Sequence, residues 1–211
     1  MFQSPSLLLV AAAAYLLGSL NFAVIISRVM GLHDPRSYGS GNPGATNVLR
    51  SGNKKAALLT LLLDALKGWL PVFVVLQFGA KWQLGAEAAA VAGVAAFTGH
   101  VLPVFFRFKG GKGVATAAGV LFGISPWLGL LVLLTWLLVA VVTRYSSLAA
   151  VIAAASTPMI YLFGAQRGWW LLAGALFQAC MIMSIVLVWR HKQNIHRLLN
   201  KQEPRIGEKK Q

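Results

Sequence analysis

Apolar runs long enough to cross a lipid bilayer recur along the whole 211-residue chain, at about 5–26, 56–78, 84–104, 114–124, 126–142, 147–163 and 168–189. A spanning helix needs roughly 20 such residues, since each adds about 1.5 Å against a hydrocarbon core of about 30 Å. Hydrocarbon offers no water to a bare peptide group, so a run of this kind folds as a helix. The stretches between the runs are too short for a separate soluble domain. Only 11% of the residues are charged, where a soluble domain carries about a quarter. The pattern predicts an all-α integral membrane protein, a single polytopic domain over 1–211 with a short basic amphipathic tail at 190–211.

Charge decides how many times the chain crosses. The fourth and fifth runs are separated only by Ser125-Pro126, so Val114 to Val142 is one long span or two short ones. With seven crossings, 16 of the 19 Lys and Arg residues fall on one face: five in 27–55, three in 105–113, Arg144, and seven from Arg190 onward. Only Lys81 and Arg167 then lie opposite, and Lys67 lies within a span. With six crossings, Arg144 and the tail change sides. The positive-inside rule therefore favours seven transmembrane helices, some short, with the N-terminus outside and the C-terminus in the cytoplasm. The fourth run is too short to bridge the core alone and must be held by its neighbours; Gly119 and Gly123 permit the close approach this needs. The first run has no Lys or Arg before Arg28, so it reads as a retained helix and not as a cleaved signal. The single cysteine, Cys180, excludes an intrachain disulfide and reads as a packing residue.

Three segments on the basic face carry chemistry. The first runs Gly39-Ser40-Gly41-Asn42-Pro43-Gly44-Ala45-Thr46-Asn47-Val48-Leu49-Arg50. Its glycines and proline oppose regular structure and allow backbone N–H groups to converge on an anion. Ser40, Asn42, Thr46 and Asn47 add neutral donors, and Arg50 adds a bidentate fork suited to phosphate. A flexible solvated turn is the plainer reading. The second is Phe108-Lys109-Gly110-Gly111-Lys112-Gly113-Val114-Ala115-Thr116, which leads into the fourth helix. A helix N-terminus suits an oxyanion, and Lys112 adds a point charge. It is not a Walker A loop, which needs Gly and Ser/Thr where this chain has Phe106 and Gly113. The third is the tail, in which His191 and Asn194 share a helical face, with Glu203 and Gly207 beyond and Ile195, Leu198 and Leu199 forming an apolar edge. The Arg144-Tyr145-Ser146-Ser147 turn is either a topogenic arginine with a serine cap or a further phosphate clamp.

Asp64 and Lys67 stand i, i+3 near mid-membrane in the second run. Charges there are costly and usually paired, so they read as an ion pair bracing the bundle, or as support for the basic pocket. His100 reads as a core residue. There is no HExxH and no cluster of carboxylates, so neither a catalytic metal nor another cofactor is expected. An anion carrier would place its site near the midplane between repeats, and a lipid phosphatase would need a nucleophile–base pair or metal ligands; the sequence has neither.

In order, Gly39–Arg50, Phe108–Thr116, Arg144–Ser147 and His191…Asn194…Glu203…Gly207 resemble the bacterial acyl-phosphate:glycerol-3-phosphate acyltransferases, the PlsY family. Asp64 and Lys67 also match that family's second helix, and the resemblance covers nearly the whole chain. It implies a seven-helix fold in the bacterial plasma (inner) membrane with the active site at the cytoplasmic face. It also implies transfer of an acyl group from acyl phosphate to the 1-hydroxyl of sn-glycerol 3-phosphate, giving lysophosphatidate and inorganic phosphate. By that resemblance Ser40, Arg50, Lys112, His191 and Asn194 are the catalytic set. Gly41, Asn42, Thr46, Asn47, Gly110, Gly111, Gly113, Arg144, Ser146 and Ser147 are expected to bind substrate phosphate, and Asp64, Lys67 and Glu203 to support them. The partners implied are the two substrates and membrane lipid; no nucleic acid is expected, and no protein partner is indicated.

Overall fold

The computed structural model describes residues 5–207; the first four residues and the tail residues 208–211 lie outside them. The described residues contain helices and loops and no strand. In chain order the helices are α1 Pro5–Gly18, α2 Phe22–Val29, α3 Ala45–Leu49, α4 Lys54–Phe78, α5 Ala86–Val101, α6 Val114–Ile124, α7 Pro126–Thr143, α8 Ser146–Gln166, α9 Gly174–Arg190 and α10 Lys192–Leu199. Four of the helical stretches are each long and apolar enough to cross a membrane: 54–82, 86–106, α7 and α8. Counting the bent pairs α1–α2 and α9–α10 as one span each gives six, and α6 is a shorter apolar helix of 11 residues.

Packing follows the small residues. Helix α5 touches α1, α4, α6 and α9, and it buries Ala88, Ala89, Ala92, Gly93 and Ala96 among them. Helix α6 lies along α4, where Cβ atoms on Gly119 and Gly68 would collide with the Ala65 and Thr116 carbonyl oxygens. This close contact supports a helix that rises only about 16 Å. On the outward faces Leu134, Leu137, Leu138, Val141 and Val142 of α7 stand exposed, as suits a surface turned to lipid.

Two helix boundaries differ from the hydropathy pattern. The first apolar run is broken at Ser19–Asn21, with a bend of 41° between α1 and α2. Asn21 caps α2 by accepting the Val24 amide at 3.3 Å, and the Lys67 ammonium donates to the freed Leu20 carbonyl at 2.6 Å. A break inside a span is tolerated when its polar groups are satisfied in this way. The last run begins its helix at Gly174 and not near 168. Trp170 instead folds inward, its indole N–H donating to Tyr161 O at 3.0 Å, while the Tyr161 hydroxyl bonds the backbone at Leu171 and Ala173. That hydroxyl holds 171–173 out of a helix.

Candidate active site

The first loop is shaped by Asn47, which is 2% exposed. Its Oδ1 accepts the Ser40 amide at 3.0 Å, and its Nδ2 donates to the carbonyls of Pro35 at 2.6 Å and Tyr38 at 3.2 Å. A Cβ on Gly39, whose φ is +61°, would run into that Oδ1. Asn47 is thus a staple within the loop, and both of its N–H donors are spent on loop carbonyls. The staple presents Ser40, Gly41 and Asn42 to a cavity of about 320 Å³. Thr46 is exposed and, like Arg50, which caps α3, is not among the residues that line the cavity; Arg50 is nonetheless close enough to depress the Lys112 pKa.

The second loop differs from the open nest of N–H groups that its glycines predict. The Gly111 amide is spent on the His100 carbonyl at 3.2 Å, and the Gly110 and Gly111 carbonyls both accept from Arg190 Nη2 at 3.1 Å. The glycines serve close packing. A Cβ on Gly110 would strike the His100 carbonyl, one on Gly111 the His100 ring, and one on Gly113 the Phe97 ring. Only Gly110 and Lys112 of this loop line the cavity, and α6 starts immediately behind at Gly113.

The third wall is the α9–α10 corner, bent by 54°. It contributes Trp189, Arg190, Lys192, Gln193, Asn194 and Arg197. Lys112 Nζ donates to Asn194 Oδ1 at 2.5 Å, and Asn194 Nδ2 donates to Glu203 Oε1 at 2.7 Å. Glu203 fixes which way the Asn194 amide faces, so that its oxygen meets the lysine. The other Glu203 oxygen takes Arg197 Nε at 2.7 Å. Burial would raise the Glu203 pKa, but the neighbouring Ser147 hydroxyl, Asn194 and Arg197 together hold it below the usual carboxylate range. Burial pushes the Lys112 pKa down to about 8; Glu203 opposes this, while Arg197, Arg50 and Arg190 add to it.

His191 is 2% exposed and does not line the cavity wall itself. Its Nδ1 lies 2.8 Å from the Leu187 carbonyl, so the proton sits on Nδ1 and Nε2 is left as an acceptor. Burial lowers its pKa to about 4, against the pull of that carbonyl, so the ring is neutral at pH 7. Four cations, Lys112, Arg190, Lys192 and Arg197, line the cavity, and among the described residues no carboxylate does. Such a site suits doubly charged phosphate groups.

The turn before α8 meets the tail, and its residues are not among those that line the cavity. Arg144 Nη2 donates to the Ile206 carbonyl at 3.1 Å, and the Ile206 amide donates back to Arg144 O at 2.7 Å. Arg144 therefore fastens the tail that carries Glu203, with Ser147 buried behind it and Ser146 opening α8. Asp64 and Lys67 form the expected ion pair at 2.7 Å, both 2% exposed. His100 joins them, its Nδ1 lying 3.5 Å from Asp64. Sequence reasoning missed both His100 and Arg190 as neighbours of the second loop. Arg190 carried a signal, adjacency to His191, but counted only as a topogenic charge.

A family model described as glycerol-3-phosphate acyltransferase matches residues 8–201. A protein of that name from Paraburkholderia phytofirmans is 60% identical over 205 residues, covering 96% of this chain and 92% of its own length. One from Burkholderia pseudomallei is 56% identical over 206 residues, covering 97% of each. The crystal structure of PlsY, an integral membrane glycerol 3-phosphate acyltransferase, in its glycerol 3-phosphate form matches with a TM-score of 0.84 at 40% identity over 96% of both chains. Its lysophosphatidic acid form matches with a TM-score of 0.81 at 39% identity.

Proposed function

The chain belongs to the glycerol-3-phosphate acyltransferase family of integral membrane enzymes, and from that premise we propose that its acyl donor is acyl phosphate and its product 1-acyl-glycerol 3-phosphate. The observation that carries this reading is the cavity itself: four cations and, among the described residues, no carboxylate line it, with Trp189 58% exposed at its wall. Acyl phosphate is a mixed anhydride that is already activated, so the site has to position two phosphates and balance their charge. The glycerol 1-hydroxyl oxygen bonds to the acyl carbon. The bond from that carbon to the bridging phosphate oxygen breaks, and inorganic phosphate leaves with the hydroxyl proton. A phosphate oxygen is the base in this scheme. Lys112 and Arg50 stabilise charge on the phosphates, Ser40 and the Asn194–Lys112 pair orient them, and neutral His191 offers Nε2 as an acceptor.

The remaining assignments belong to the same proposal. The chain crosses seven times as one membrane domain, with α6 as the fourth and shortest span, N-terminus outside and C-terminus inside. The protein resides in the bacterial plasma membrane with this cavity at the cytoplasmic face, where the basic loops lie.

Purified protein given acyl phosphate and labelled glycerol 3-phosphate is expected to release labelled lysophosphatidate and phosphate. With acyl-CoA or acyl-carrier protein as sole donor it should release neither. Absence of product from acyl phosphate in folded protein would overturn the donor assignment.

The Lys112 environment adds a pH dependence. In the folded protein the Lys112 pKa is about 8, and only the protonated amine holds phosphate. Glycerol 3-phosphate is a dianion above its second ionisation at about pH 6. Its KM should therefore stay level between these values and rise above them, approaching tenfold per pH unit. Lys112→Arg, charged throughout, should flatten the rise; a level wild-type profile up to the pKa of free lysine would contradict the assignment.

A further inference from the structure

Arg190 ends α9 and points its guanidinium at the second glycine-rich loop. One of its nitrogens, Nη2, carries two hydrogens and meets two carbonyls, Gly110 O and Gly111 O, each at 3.1 Å. A trans peptide sends its C=O and N–H in opposite directions. With Gly110 C=O turned to Arg190, the N–H of the same peptide must turn away, and it is found on the His100 carbonyl at 3.2 Å. That peptide is gripped at both ends, by α9 and by the end of α5. Neither glycine can carry a side chain there, because a Cβ would meet the His100 carbonyl or ring. The next residue is Lys112, whose ammonium leaves this grip to reach Asn194 Oδ1 at 2.5 Å.

We infer that Arg190 is a positioning residue for acyl transfer: its guanidinium holds the Gly110–Gly111 peptides and so sets where the Lys112 ammonium stands in the cavity. The inference rests on the acyltransferase reading for its consequence, but on the four contacts above for its geometry. Arginine suits the task because a planar fork fixes the directions of its N–H bonds, whereas a lysine ammonium rotates freely and is placed by a flexible stem. A cation that served only to attract phosphate would need no bond to either carbonyl.

A double-mutant cycle separates the two roles. Glycerol 3-phosphate binding is measured on wild type, Arg190→Met, Lys112→Met and the double variant, and turnover with acyl phosphate is measured on the same four proteins. Binding by Arg190→Met should weaken about tenfold, and the double variant should bind within about twofold of Lys112→Met, because the clamp acts through that lysine. A general folding defect lowers the active fraction and leaves the dissociation constant of the remainder unchanged. Multiplying effects, or full-strength binding by Arg190→Met, would overturn the inference. If Arg190→Met fails to fold, Arg190→Lys decides: it keeps the charge and loses the fork, so wild-type affinity in that variant refutes the clamp. Non-additive binding in a protein with no turnover would instead refute the acyl phosphate reading and leave the clamp standing.

Discussion

Lys112→Met should reduce lysophosphatidate formation by a factor on the order of 10² to 10³, the cost of removing one preorganised donor from a desolvated site. The magnitude follows from where the amine stands. Burial and three nearby arginines already press its pKa down to about 8, so the fold holds its positive charge at a cost. A phosphate dianion relieves that cost, and the relief grows as negative charge collects on the leaving phosphate. Methionine approximates the aliphatic stem of the lysine and brings no charge. It also leaves Asn194 Oδ1 without its lysine, while Asn194 Nδ2 remains tied to Glu203. The amide cannot turn to compensate, since turning would break the bond to Glu203. Steady-state rates with acyl phosphate, together with a thermal melt matching wild type, test this. Wild-type turnover in the folded variant would remove Lys112 from the chemistry.

Lys67→Met should destabilise the protein by about 3–5 kcal/mol, since it leaves one partner of a buried pair uncompensated. Stability of a whole domain is only about 5–15 kcal/mol, so low yield or a melting point many degrees lower is expected. Lys67 and Asp64 meet at 2.7 Å, each 2% exposed, within the second membrane-spanning stretch. The lysine also donates to Leu20 O, where α1 breaks from α2. Removing it strands a carboxylate and a carbonyl together, in a setting where bare polar groups are costly. Asp64→Leu combined with Lys67→Met strands no charge, and it should recover a substantial part of the loss. The comparison is read in thermal unfolding of the detergent-solubilised protein. A double variant as unstable as Lys67→Met alone would show that the pair's charges are not what the fold depends on.

Much of the architecture was legible because hydrocarbon imposes its demands locally. Any helix in lipid must satisfy its own backbone and show apolar side chains, so α4, α7 and α8 appear in the sequence near their true lengths, and α6 appears as 114–124, its observed span. The Asp64–Lys67 pair was legible for the same reason: two opposite charges one helical turn apart inside an apolar run have few alternatives. Where a helix stops was less legible. The break after Gly18 depends on Lys67, 47 residues away from Leu20, and the late start of α9 depends on the Tyr161 hydroxyl. Neither partner announces itself in a hydropathy profile.

The same division runs through the site. Gly39–Arg50, Phe108–Thr116 and the His191–Asn194 tail stood out by composition, and they do surround one cavity. Their internal roles were not visible. Asn47 became a staple because Pro35 and Tyr38 offer carbonyls to it, and Arg144 became a tail fastener because Ile206 lies against it.

By itself, then, the sequence determined that this chain belongs in a membrane and which glycine-rich and basic segments stand out from its apolar runs. Those properties depend on residue type and on spacing along the chain. Only the tertiary structure decided which way the peptides of the Gly110–Gly111 loop point, which of its N–H groups are spent, and where the Lys112 ammonium stands. A peptide plane takes its direction from its hydrogen-bonding partners. Here those partners are His100 on α5 and Arg190 on α9, which become neighbours of the loop only when the helices pack.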